Sequence, residues 1–544
     1  MMEPKAYDYI VVGSGSAGCA VAMRLVEHSS CNVLLIEAGR RSFSPWAKIP
    51  LGVGRLYNDQ SIHWPFITEP EPNLNGRRIY LPSGKILGGS SSINGLLFAR
   101  GSPQEYDRLS ESGCPGWSYS DVLPYFRRLE DYEGGQSQYR GSGGPISVSN
   151  MPHRDGLTEA FYQSCIDIGI PGNKDYNGET YEGVSYLQLT TNSGLRCSSA
   201  TGYLSRTRSR SNFRLLTNTL VTKILFKGKS AIGVSIKGPE GSERKVYVTR
   251  EVLLCAGAFG SPRLLELSGV GDKNKLRRAG VSPLHNLIGV GENLSDHLNT
   301  RLSYRCREPI TINDALNNIW LGARLGLQYL FCRRGLMATP SVTVHALARG
   351  RYTDTQPNLK LQIAHLSGES RYSMTKETGL DKFSGFMLGS TPLYPSSRGS
   401  VHIRSNDPSQ PPKIQANYLT SEEDLDTALS GVRLLRRISS NQKFQGLVAE
   451  EIRPGEHIQQ DDELIDFIRS TAQTSWHPVG TCKMGSDARA VVDPELRVRG
   501  LSGLRVADAS IFPNLISVNT NAPTIMVGER CADFVLDAIS GELR

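Results

Sequence analysis

Of the ten histidines in this chain of 544 residues, one stands in an unusual setting: His477 lies in SWHPVGTCKMG, Ser475 to Gly485, between a tryptophan and a proline and ahead of two glycines. The stretch is neither a good helix nor a clean strand. An imidazole there has three chemical uses: a general base in a pocket, a metal ligand beside Cys482, or a core group satisfied by a backbone carbonyl. A metal would need further ligands at zinc spacing, and no second His or Cys pair accompanies these two, so no metal site is expected. A different chemistry is written at the N-terminus. Gly13, Gly15 and Gly18 stand in GxGxxG spacing, and Glu37 follows nineteen residues past Gly18. Gly13 permits a tight turn, Gly15 removes the side chain that would block a pyrophosphate, and Gly18 lets a helix pack close to a strand. A carboxylate at Glu37 suits a ribose 2′-hydroxyl and disfavours a 2′-phosphate. NADP is thereby disfavoured, whereas FAD and NAD both remain open.

These residues need elements to hold them. YDYIVVG, AGCAVAMRLVEH and NVLLIEAG read as strand, helix, strand, with the glycine turn between the first two. A second glycine cluster, GKILGGSSSINGLLFARG (Gly84 to Gly101), offers bare backbone at Gly88 and Gly89, with hydroxyls at Ser90, Ser91 and Ser92 and an amide at Asn94. A third stretch, GAFGSPRLLELSGVG (Gly257 to Gly271), follows the apolar run EVLLCA, and Ser261-Pro262 reads as a helix start. Near the end, NTNAPTIMVGERCADFVLDAI has a helical apolar period with Pro523 in its first turn, so free amide donors and a partial positive charge stand at its N-terminus.

The bulk properties fit a globular protein of two domains: 39% hydrophobic and 21% charged residues, with 55 glycines. The formal charge of +8 is mild for this length. The one dense basic run, RTRSRSNFR (Arg206 to Arg214), reads as a solvated loop, so nucleic-acid binding is not expected. Ten scattered cysteines without a CxxC pair read as reduced thiols. No secretory leader and no apolar run of transmembrane length is seen, which points to a cytoplasmic protein, with peripheral membrane contact left open.

Both glycine clusters, with the N-terminal unit, resemble the signatures of the glucose-methanol-choline oxidoreductases, a family of FAD-dependent alcohol oxidases and dehydrogenases. The resemblance runs on through RCSSATGYL, VGENLSDH, SSRGSVHIRSNDP, SWHPVGTCKMG, LRVADASIFP and NTNAPTIMVGERCAD, in the family's order and over nearly the whole chain. It implies that His477 is the active-site base, that Asn519 is the second active-site residue with Asn521 as its nearby rival, and that hydride passes from an alcohol carbon to flavin N5. It implies FAD contacts at Gly13, Gly15, Ser16, Ala17, Gly18, Glu37 and Ala38; at Gly89, Ser90, Asn94, Gly95, Leu96 and Leu97; at Asp508, Ala509, Thr520 and Asn521; and at Trp64, Trp476 and the backbone of Val221. Where some members attach FAD through a histidine, this chain has Ile93, which implies a dissociable flavin.

The expected fold is α/β: a doubly wound FAD domain assembled from separated segments, mainly residues 1–300 with a return over 471–544, and a substrate domain, mainly 301–470, built on an antiparallel sheet with flanking helices. The expected reaction is oxidation of a small-molecule alcohol, with oxygen or a quinone as electron acceptor. A hydroxynitrile lyase holding FAD without turning it over is the alternative. A non-catalytic flavoprotein is disfavoured by the intact base, asparagine and cofactor loops.

Overall fold

The structure is a computed structural model that describes residues 6–41, 44–57, 59–206, 210–351, 353–369 and 379–542. Thr207, Arg208 and Ser209 of the basic run lie outside these residues; Arg206, Arg210 and Arg214 are exposed.

Two seven-stranded sheets organise the chain. In the first, five strands run parallel in the order Phe213–Leu216, Val33–Ile36, Tyr7–Val12, Glu243–Leu254, Leu504–Val506. Parallel strands covered on both faces should be apolar throughout. Val33–Ile36 reads VLLI and every residue is buried. Strand Glu243–Leu254 divides its labour. Its exposed first half pairs antiparallel with Ser230–Lys237, which pairs in turn with Leu220–Lys227, and its buried second half joins the parallel set. The doubly wound domain is therefore assembled from separated segments, as expected.

The second sheet is antiparallel, in the order Val448–Arg453, Leu298–Cys306, Gly385–Pro392, Leu359–Ala364, Val342–Ala348, Gly183–Tyr186. Strand Gly183–Tyr186 reaches it from the N-terminal half of the chain, and Leu298–Cys306 runs across residue 300. NLKLQIAHL supplies the strand Leu359–Ala364, while GSVHIRS forms a separate two-stranded ribbon, Ser400–His402 with Lys413–Gln415. The amphipathic helices Glu422–Ser439 and Asp461–Thr471 flank the sheet, each turning its apolar stripe to the core.

One helix start differs from expectation. The helix after Glu243–Leu254 begins at Gly257, leaving Pro262 inside it. Proline has no N–H for the carbonyl four residues back. That carbonyl, Ala258 O, instead accepts from the Thr481 hydroxyl at 2.6 Å. Ser261 turns its hydroxyl to Asp508 rather than capping the helix.

Candidate active site

A deep cavity runs from the carboxyl ends of the parallel strands to the face of the antiparallel sheet, where an open α/β sheet is expected to take its ligand. Each residue expected to touch cofactor lines it, with the exception of Gly18. Gly18 acts through packing: a Cβ there would stand 1.9 Å from Gly13 O. Gly13 has a φ of +99°, and a Cβ would meet Cys255 O at 2.4 Å. At Gly15 nothing lies nearer than 4.0 Å to a built Cβ, so its bare backbone faces the open cavity at the start of helix Ser16–His28. Turn, close approach and helix N-terminus together form a cradle for a pyrophosphate.

Glu37 ends the second parallel strand. Its Oε2 accepts from Ser14 N at 3.0 Å and Ser14 Oγ at 2.7 Å, and its Oε1 accepts from Gly39 N at 2.7 Å. Of about four acceptor positions on a carboxylate, one is left, on Oε1. Burial raises its pKa against these hydrogen bonds. Asn94 Oδ1 accepts from Arg196 Nη1 at 2.7 Å and from Leu96 N at 3.1 Å, which leaves its NH₂ without a partner among the described residues. Leu96 holds φ +70°, strain stored in the loop that also presents Gly95 and Leu97 to the cavity. Ile93 lines the cavity with an aliphatic side chain. Asp508 accepts from Gly257 N at 2.8 Å, Ser261 Oγ at 2.5 Å and Ser510 N at 2.9 Å, tying its own segment to the start of helix Gly257–Leu267.

His477 is fixed from two sides. Its backbone N–H donates to Asp296 Oδ1 at 2.7 Å, while Asp296 Oδ2 accepts from Thr474 Oγ1 at 2.5 Å and Tyr418 OH at 2.6 Å. The preceding Trp476 is held at φ +59° with its ring against Tyr57, centroids 4.7 Å apart, and Pro478 limits the following backbone. The side chain meets a residue to which the sequence assigned no role: His477 Nδ1 lies 2.9 Å from His297 Nδ1, and His297 Nε2 lies 3.1 Å from Leu393 O. A carbonyl only accepts, so His297 Nε2 carries hydrogen. Burial pushes His297 down to about 3, so the ring is neutral and its Nδ1 is an acceptor. His477 Nδ1 must then donate, which leaves the lone pair of a neutral His477 on Nε2. Burial first, then His297 and Lys360, hold the His477 pKa well below the ordinary value.

Asn519 and Asn521 part company at the start of helix Asn521–Glu542. Asn521 Oδ1 accepts from Ser16 Oγ at 2.7 Å, on the dinucleotide turn. Asn519 Oδ1 accepts from Lys360 Nζ at 2.7 Å, on the antiparallel sheet. Lys360, Arg301 and His297 line the cavity and were not anticipated. The alternation in NLKLQIAHL announced a polar face that includes Lys360, and VGENLSDH ends on His297, but neither signal says what the face meets.

No group of three or more His, Cys, Asp or Glu side chains suited to a metal occurs among the described residues. The cradle's bare backbone, the spare carboxylate position and the helix N-termini fit FAD.

The GMC oxidoreductase models match residues 7–299 and 395–528. An oxygen-dependent choline dehydrogenase of Vibrio vulnificus (strain YJ016) is 41% identical over 97% of this chain and 94% of its own length, and one of Brucella anthropi is 40% identical over 97% and 95%. Among solved structures, pyridoxine 4-oxidase from Mesorbium loti superposes with a TM-score of 0.87 at 29% identity, covering 97% and 98% of the two chains. A formate oxidase variant from Aspergillus oryzae RIB40 superposes with a TM-score of 0.91 at 25% identity over the whole of both chains. None of these four is named as a lyase, and the lyase alternative finds no support. With a dinucleotide cradle, a neutral imidazole and matching relatives along its whole length, this chain belongs to the GMC oxidoreductase family, FAD-dependent enzymes that oxidise alcohols.

Proposed function

We propose that His477 is the base of this alcohol oxidation and that its Nε2 takes the substrate hydroxyl proton. The observation that carries the reading is the chain from Leu393 O through His297 to His477, which fixes one tautomer and leaves one basic nitrogen. A neutral imidazole is the form that accepts a proton, and burial keeps it neutral at physiological pH. Bound FAD supplies the two-electron acceptor that takes the hydride from the alcohol carbon. Asn519, whose carbonyl oxygen is held by Lys360, has its NH₂ left to orient the substrate oxygen, while Asn521 belongs to the cofactor turn. The N-terminus of helix Asn521–Glu542 supplies the partial positive charge that favours an electron-rich ring.

Ile93 offers no atom for a covalent link, so the flavin is held non-covalently. Residues 1–300 with 471–544 serve mainly the cofactor, and 301–470 mainly the substrate. The relatives' names favour oxygen as the acceptor over a quinone. Ten free cysteines suit a reducing compartment such as the cytoplasm, and among the described residues no helix is long and apolar enough to cross a membrane. The test is anaerobic: alcohols mixed with purified holoenzyme should bleach the visible flavin band, and His477→Ala should keep FAD while losing that reduction. Full-rate reduction in the variant would refute the role of His477.

A further inference from the structure

The floor of the cavity is one face of the antiparallel sheet. In strand Leu359–Ala364 the residues Leu359, Leu361 and Ile363 are buried in the core, so the period of two turns Lys360, Gln362 and Ala364 to the cavity, which all three line. Thr391 stands opposite Lys360 in register. Gly389 stands opposite both Gln362 and Arg301, so the floor between them carries no side chain.

Lys360 is 7% exposed and, among the described residues, makes a single hydrogen bond, to Asn519 Oδ1. An ammonium has three donors, and the partner this one has among the described residues is an amide oxygen, not a carboxylate. A buried cation without a counter-charge is costly. Burial pushes Lys360 down to about 8, which still leaves it mostly charged at neutral pH. Among the described residues the carboxylates that line the cavity, Glu37 and Asp508, are held by backbone and hydroxyl donors in the dinucleotide cradle.

We propose that the substrate is an alcohol bearing a carboxylate, received by Lys360, and that a quaternary ammonium alcohol is disfavoured at the same place. The proposal rests on the reading of this cavity as the site of alcohol oxidation. The test uses holoenzyme and three matched alcohols: 4-(hydroxymethyl)benzoate, its methyl ester, and a trimethylammonium analogue. The carboxylate should exceed the ester in kcat/KM by about tenfold or more, the cation should be poorest, and Lys360→Gln should shrink the carboxylate-to-ester ratio about tenfold, mainly through KM. Benzoate, which has no alcohol to oxidise, should perturb the flavin band of oxidised wild-type enzyme, and its binding should weaken as pH rises through about 8. An ester as good as the carboxylate, or no benzoate binding, overturns the proposal. So does a Lys360→Gln variant that slows both alcohols equally while shifting the flavin potential. If no alcohol bleaches the flavin but benzoate still binds through Lys360, the oxidation reading fails and the anion site stands.

A separate observation concerns the surface. Helix Ile319–Cys332 buries only Tyr329. Ile319, Trp320, Leu327, Leu330 and Phe331 are between 56% and 83% exposed. At helical spacing they share one arc of roughly 120°, an apolar stripe turned outward. Exposed Arg324, Arg333 and Arg334 border it, and the sequence has no Asp or Glu between Asp314 and Asp354. We infer that this helix docks the enzyme on an anionic lipid surface: apolar side chains and an indole enter the interface while arginines meet the headgroups. Eight residues on, the chain reaches Pro340, which lines the cavity, so the docked face adjoins the active site in sequence. Holoenzyme should float with vesicles of phosphatidylcholine and phosphatidylglycerol and not with phosphatidylcholine alone. The triple variant Ile319→Ser, Trp320→Ser, Phe331→Ser should stay unbound with its flavin spectrum unchanged. Absence of flotation overturns the inference, as does a wild-type dimer that the triple variant dissociates, which would make a second copy the occupant.

Discussion

The two ends of the cavity are built from different materials. The dinucleotide cradle is made mostly of backbone: N–H groups at the glycine turn, carbonyls packed against glycines, and helix N-termini. The other end, where we place the chemistry, is made of side chains, with two imidazoles in a row, an asparagine, and a lysine on a strand. Backbone sites tolerate almost no change where atoms already touch, because a main chain has nowhere to move. Side-chain sites tolerate substitution structurally but lose chemistry.

The largest effect should break the cradle. With 1.9 Å between a Cβ at position 18 and Gly13 O, Gly18→Val should abolish FAD uptake and destabilise the fold, seen as colourless or insoluble protein after reconstitution. Gly15→Ala sharpens the contrast, since its Cβ enters open space. That variant should fold normally and bind FAD more weakly, a difference that flavin titration resolves. Equal behaviour of the two variants would mean that the turn is not shaped by contact.

At the other end, His477→Ala should leave FAD binding intact and slow flavin reduction by about 10²–10⁴-fold, the range for a general base. His297→Phe should cost less, on the order of 10², because it removes the acceptor that fixes the His477 tautomer while leaving the base itself. A merely structural His297 would lower stability without changing the pH profile. A positioning role predicts that the profile shifts, because His477 Nδ1–H loses its partner. Rapid-reaction measurements across pH decide between them.

The same contrast explains what could be read from the sequence. Gly13, Gly15 and Gly18 were legible because a backbone requirement appears as a residue type at fixed spacing, and Glu37 because its distance along the chain is set by one helix. The assignments of His477 and Asn519 rested on family resemblance. Local pattern left His477 among three uses and could not separate Asn519 from Asn521. In space the two have different partners, Ser16 for Asn521 and Lys360 for Asn519, which no local pattern announces. His297 and Lys360 escaped because their meaning depends on partners 180 and 159 residues away. The start of helix Gly257–Leu267 was misplaced for a related reason: the carbonyl that Pro262 leaves without a donor is satisfied by Thr481, from a distant segment.

The smallest predicted effect tests whether function at the side-chain end is held against stability. A lysine lowered from 10.5 to about 8 by burial opposes folding by up to about 3 kcal/mol at neutral pH. Lys360→Met removes that cost but leaves Asn519 Oδ1 without its donor, a loss of about 1 kcal/mol, so a net gain of about 2 kcal/mol is expected in urea denaturation at about pH 7. The sign with pH is fixed. Below about 8 Lys360 is protonated in both states and the cost is full. Between about 8 and 10.5 the folded state releases its proton first, the unfolded state binds more protons, and wild-type stability rises towards that of the variant. The gap should therefore close as pH rises, and benzoate, by supplying the missing counter-charge, should close it at neutral pH as well. A gap that ignores both would mean that the cost of Lys360 is already met within the protein, and the cradle and the floor would then differ in material but not in strain.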